Sequence, residues 1–176
     1  MKNVLLAAVA VATLSVVAMA DGLEVGSSVG AFYVNDVTGP SAGKKLCYRC
    51  QYGNRPVVSI FARNVDDNVA SLIKQVDGVV AKNDKMAGFV VLLSEDPQSD
   101  AGKLKQVAQT QSVKNVPLTT FDGAAGPNSY KIAQDADVTV MMWVDGQLKV
   151  NKAFKAGELS QDAIPGIVGE TKTILN

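Results

Sequence analysis

The sequence predicts an α/β domain on a mixed β-sheet, and three observations carry that reading. Val57–Ala62 and Ala87–Ser94 are continuous apolar runs, the pattern of strands covered on both faces. Between them Val65, Val69, Leu72, Ile73, Val76, Val79 and Val80 fall at helical spacing, giving a strand–helix–strand unit. Further along, Val138–Val144 and Gln147–Phe154 flank Asp145-Gly146, a two-residue hairpin signal that adds antiparallel strands. Together these imply a mixed sheet with helices on both faces.

The elements follow in order. Residues 1–20 start basic at Lys2, run apolar from Val4 to Val17 and end in Ala18-Met19-Ala20, an A-x-A cleavage pattern. The run is too short for a comfortable membrane span and lacks a basic stop-transfer flank. The expectation is a signal peptide over 1–20 and one exported domain over 21–176, periplasmic or secreted, with no membrane attachment after signal removal. A segment of that size buries one adequate core. Gly22–Gly30 reads as an irregular lead-in, Ala31–Val37 as a short strand closed by Thr38-Gly39-Pro40, and Ser41–Lys45 as loop. Cys47 and Cys50 then lie in or beside a surface connection, with Gly53–Pro56 leading into the central strand.

The helix after that strand is expected to start from Asn64 as N-cap, with Asp66 and Asp67 in its first turn. Asp66 and Asp67 read as helix-capping groups rather than an acid–base pair. Asp96–Ser99 closes the next strand, and Asp100–Gln111 carries Leu104, Val107 and Ala108 on one helical face. Val116–Phe121 is a strand in which Pro117 calls for an edge or strand-start position, closed by Asp122-Gly123. Ser129–Ala133 forms one helical turn. In the tail Ile164, Ile167, Val168, Thr171, Ile174 and Leu175 keep helical spacing, interrupted by Pro165, Gly166 and Gly169.

Composition removes several function classes. The chain has 17 Lys and Arg against 17 Asp and Glu, so losing Lys2 with the leader leaves one acidic side chain in excess. That balance offers no footprint for nucleic acid or an anionic membrane. Histidine is absent, which removes the commonest general base, the commonest metal ligand and any Ser-His or Cys-His nucleophile. No GxGxxG or P-loop spacing supports a nucleotide site, and no cofactor is expected.

The order of elements resembles the thioredoxin-like superfamily, and within it the redoxin or peroxiredoxin-like branch, over nearly the whole of 21–176. The residues that carry the resemblance are Val25-Gly26 with Phe32, Asp36-Val37-Thr38-Gly39, the strand Pro56–Phe61 leading into a helix, Val116-Pro117-Leu118 to Asp122-Gly123, and Val138–Gly146. The resemblance implies a central mixed sheet flanked by helices and chemistry at the end of the central strand, where a helix N-terminus lowers a thiol pKa. Two departures bear on activity. Arg63–Asn68, where the family's reactive cysteine would stand, contains no cysteine. Val138, followed by Thr139, occupies the position of the family's cis-proline. Ordinary thioredoxin or peroxiredoxin activity is therefore not carried over.

Cys47 and Cys50 are the only cysteines, spaced C-x-x-C ahead of the central strand. The pair admits three readings. In thiol–disulfide exchange or redox sensing with a protein thiol or disulfide partner, one thiol resolves the mixed disulfide formed by the other, with Arg49, and nearby Arg55, favouring the thiolate. As a structural disulfide the pair pins its loop, which export would permit, in a non-catalytic binding or structural module. As a metal site it offers two thiolates for Cu(I), alone or shared across a dimer; a tetrahedral zinc site lacks ligands, and Gln51 stands where covalent haem attachment needs histidine. Tyr48 and Tyr52 flank the pair either as a recognition surface or as packing against the sheet. Met141, Met142 and Trp143 read as core, and Asp135 and Asp137 as a solvated acidic loop.

Overall fold

All six residues of Val57–Ala62 and all eight of Ala87–Ser94 are buried, as strands covered on both faces must be. The computed structural model describes residues 22–175, so the expected signal peptide lies outside the described residues. In chain order the elements are β1 (Val34–Asp36), β2 (Lys45–Leu46), α1 (Tyr48–Tyr52), β3 (Val57–Ala62), α2 (Asp67–Val80), β4 (Ala87–Ser94), α3 (Pro97–Thr110) and β5 (Leu118–Asp122). A 3₁₀ turn (Asn128–Tyr130), β6 (Val138–Val144), β7 (Gln147–Phe154), α4 (Ile164–Gly169) and α5 (Lys172–Leu175) complete them. The strands form one seven-stranded sheet in the order β2-β1-β5-β4-β3-β6-β7. The β3–β4 and β4–β5 pairs are parallel and the other pairs antiparallel, so the sheet is mixed as expected.

Strand alternation sorts the core into two layers. Val58, Ile60 and Ala62 of β3 join Val90, Leu92, Val140 and Met142 on one face, against Leu72, Ile73 and Val76 of α2, Leu104 of α3, Ile164 of α4 and Ile174 of α5. Val57 and Phe61 join Phe89, Val91, Met141 and Trp143 on the other, under Leu23, Val29, Phe32, Tyr48 and Tyr130. The two crossovers β3-α2-β4 and β4-α3-β5 step in the same direction across the sheet, and a right-handed connection then puts both helices on the same side. Helices flank both faces, but unequally. The second face has only α1, the 3₁₀ turn and the irregular lead-in.

Several boundaries differ from the sequence reading. The N-cap of α2 is Asp66, whose carboxylate accepts from the Val69 N–H at 2.8 Å, and not Asn64. Helix α3 starts at Pro97 rather than Asp100, because Asp96 caps the Ser99 N–H and a first-turn proline needs no donor. Pro117 directly precedes β5, which lies between β1 and β4, so its role is strand start and not edge. The Ser41–Lys45 loop gives way to β2, and β1 is shorter than Ala31–Val37. Asp145 and Gly146 both have positive φ, 54° and 72°, as a type I′ hairpin turn requires.

Candidate functional site at the Cys47–Cys50 pair

Leaving β2, the chain stays extended at Cys47 (φ −113°, ψ 98°), which caps α1. The N–H groups of Cys50 and Gln51 donate to the Cys47 carbonyl, both at 3.1 Å, and Cys50 N–H also lies 3.1 Å from the Cys47 sulfur. This one turn brings the two Cα atoms to 5.2 Å, and the sulfurs are bonded as a disulfide. Gly53, at φ 57°, ends the helix in a conformation that disfavours side chains. The two residues are not equivalent to solvent: Cys47 is 6% exposed, whereas Cys50 is exposed.

The side chains around the pair hold α1 to the sheet. Tyr48 is 2% exposed, and its hydroxyl donates to Asp36 at 2.8 Å. The same carboxylate accepts from the Gly39 and Ser41 N–H groups at 2.7 and 2.8 Å, and any side chain at Gly39 would collide with the Tyr48 hydroxyl. Burial, reinforced by the Asp36 carboxylate, pushes the Tyr48 phenol well above its ordinary range. Tyr52 stacks on Tyr48 with centroids 5.2 Å apart and donates to the Gly88 carbonyl at 3.3 Å; burial raises its phenol too. Both tyrosines therefore pack the loop onto the sheet.

Arg49 and Arg55 spend their donors on backbone. Arg49 donates from Nε to Val29 O at 3.1 Å and from Nη1 to Gly53 O at 3.2 Å. A Cβ at Gly146 would come within 2.6 Å of its guanidinium, so Arg49 lies across the β6–β7 turn and ties α1 to it. Arg55 donates to the carbonyls of Asp84, Lys85 and Met86, with its guanidinium 5.7 Å from the Tyr52 ring centroid.

The opposite end of β3 is built differently. Arg63 takes the place next to the strand end, with its N–H on Asp137 O at 2.9 Å. Its guanidinium donates to three carbonyls, those of Ala124, Ala133 (3.2 Å) and Ala136 (2.8 Å). No cysteine is present there, and no cis peptide occurs among the described residues. Thr139, beside Val138, buries a hydroxyl oxygen without a partner. Met141, Met142 and Trp143 are fully buried core, and Asp135 is an exposed group paired with Lys155 at 2.8 Å, which holds its carboxyl below the usual range. Among the described residues no cluster of three or more His, Cys, Asp or Glu could hold a metal ion, and no helix is long and apolar enough to cross a membrane.

No family model matches the chain, and no curated protein matches its sequence. Solved structures do match. A DsbE thiol:disulfide interchange protein candidate from Chlorobium tepidum superposes with a TM-score of 0.66 at 10% identity, over 88% of this chain and 99% of that one. A protein disulfide isomerase candidate from Bacteroides thetaiotaomicron gives 0.64 at 14% identity, over 87% and 91%. The peroxidoxin BcpB of Mycobacterium tuberculosis gives 0.59 at 15% identity, over 88% and 99%.

The fold is thioredoxin-like.

The expected thioredoxin-like architecture is thus present, and so are its two departures. Of the residues singled out in the sequence, Arg49 and Cys50 lie on α1 and Cys47 caps it, all ahead of β3 rather than at the end of β3 where the resemblance places its chemistry. What sequence reasoning missed is the scaffold that fixes them: Asp36, the Val29 carbonyl and Gly146. Asp36 was visible only as a residue of the expected Ala31–Val37 strand and of the resemblance, since nothing local couples it to a tyrosine twelve positions away.

Proposed function

We propose that the chain is an exported thioredoxin-fold protein, one domain over 21–176, that exchanges thiols and disulfides with a protein partner through Cys47 and Cys50. The observation that carries this reading is a C-x-x-C disulfide on the first turn of a helix with one of its two cysteines open to solvent. Such a pair accepts two electrons from a dithiol and releases a disulfide, its second sulfur limiting the lifetime of the mixed intermediate. Export is supported by the leader pattern of residues 1–20 and by the disulfide itself, which extracytoplasmic compartments preserve. Arg49 acts by fixing α1 through Val29 and Gly53 while adding positive charge beside the pair.

One observation favours a second reading. Cys47 is buried and α1 is anchored by Tyr48 on one side and Arg49 on the other, as a structural clip on a non-catalytic module would be. The reduction potential separates the two. After equilibration of the purified protein with glutathione buffers and counting of free thiols, exchange predicts a value above about −250 mV, whereas one below about −300 mV marks the bridge as structural.

A further inference from the structure

We infer that the pair is directional, with Cys50 the sulfur that partners reach and Cys47 the sulfur that leaves and resolves. This rests on the exchange reading. Cys47 is enclosed between Leu46 and Tyr48, 8% and 2% exposed, and is itself 6% exposed. Cys50 and the following Gln51 are open to solvent. Exchange requires the incoming thiolate to approach one sulfur from the side opposite the other, so access decides which sulfur is attacked. Of the two residues only Cys50 is open to solvent, so the attack is assigned to its sulfur.

The hydrogen bonding agrees with this polarity. When a substrate thiolate attacks Cys50, a new sulfur–sulfur bond forms to the substrate, the Cys47–Cys50 bond breaks, and its electron pair goes to Cys47. That sulfur already lies 3.1 Å from the Cys50 N–H, so the departing thiolate meets a backbone donor without rearrangement. The second substrate thiolate then attacks the substrate sulfur of the mixed disulfide and releases Cys50 as a thiolate. The two protons lost by the substrate dithiol are balanced by protonation of the two cysteines. In the reverse direction the Cys50 thiolate attacks a substrate disulfide, and Cys47 attacks Cys50 to expel the reduced substrate.

The test uses the reduced full chain under limiting iodoacetamide, with each cysteine's modification followed by mass spectrometry. Cys50 is expected to react at least about tenfold faster than Cys47, with the difference lost in urea, where both thiols are exposed. Equal rates in the folded chain, or a faster Cys47, overturn the assignment. Single variants give a second readout. Cys47→Ser should accumulate a glutathione mixed disulfide on Cys50, whereas Cys50→Ser should form one on Cys47 far more slowly; the reverse order overturns the polarity. A structural potential for the couple would defeat the exchange reading, while a wrong alkylation order under an exchange-range potential would defeat only the direction.

Discussion

Asp36 is 2% exposed, yet it receives three hydrogen bonds, one from Tyr48 and two from the backbone of its own turn. A buried carboxylate is tolerated only when its lone pairs are occupied. Tyr48 thus joins α1 to the β1–β2 turn. Tyr48→Phe keeps the ring stacking and removes one of those donors, and is expected to cost about 1–3 kcal/mol in urea unfolding. It should also speed hydrogen exchange in α1, while α4, packed on the other face of the sheet, keeps its protection. The packing of Tyr48 was one of two readings open in the sequence, but its bond to Asp36 was not legible, since Asp36 reads there only as a strand residue. Arg63 teaches the same lesson: its position ruled out a cysteine, but its three carbonyl partners come from a segment more than sixty residues away.

The elements that the sequence placed to the residue are β3, β4, β6 and β7. Each is a sustained apolar or alternating run with turn residues at its ends, so tertiary packing and local pattern agree. Those it missed are short. A two-residue β2 and a five-residue α1 are below the length at which periodicity exists, and α1 is capped by a cysteine, outside the residue types that usually cap helices. Asp96-Pro97 did carry a helix-start signal, but it was read as the end of β4. The disulfide spans only one turn of α1, so little chain entropy is removed by closing it. Reduction, or replacement of both cysteines by serine, is expected to lower global stability by about 2 kcal/mol or less, measured as the shift in urea midpoint. A loss of about 5 kcal/mol would assign the bridge to the folding of the whole domain.

Across the whole molecule, the two faces of the sheet differ in chemistry as well as in cover. One is aliphatic apart from Phe154 at its margin and sits under the four later helices; the other gathers Phe32, Tyr48, Tyr52, Phe61, Phe89, Phe121, Tyr130 and Trp143. Fold class and the mixed character of the sheet were legible because two crossovers call for parallel strands and one hairpin for antiparallel ones, whereas the strand order emerges only from the structure. The unequal cover was not, since it depends on the direction in which β4 and β5 are added. Burial raises the phenols of Tyr48, Tyr52 and Tyr130 above their ordinary value of 10.0. Folded, they hold protons that the unfolded chain gives up near pH 10, so stability is unaffected below that pH and falls as pH rises beyond it. Urea midpoints measured from pH 8 upward should stay level and then decline above about pH 10, less steeply in Tyr48→Phe.

Trp143, the only tryptophan, is fully buried with its indole N–H unpartnered, and its ring centroid lies 6.0 Å from that of Phe89. Phe89 in turn stacks on Tyr48, next to Cys47. The single tryptophan is therefore joined to the disulfide-bearing helix through one intervening ring, so tryptophan emission of the native protein is expected to report the opening and closing of the Cys47–Cys50 bridge in real time without a label.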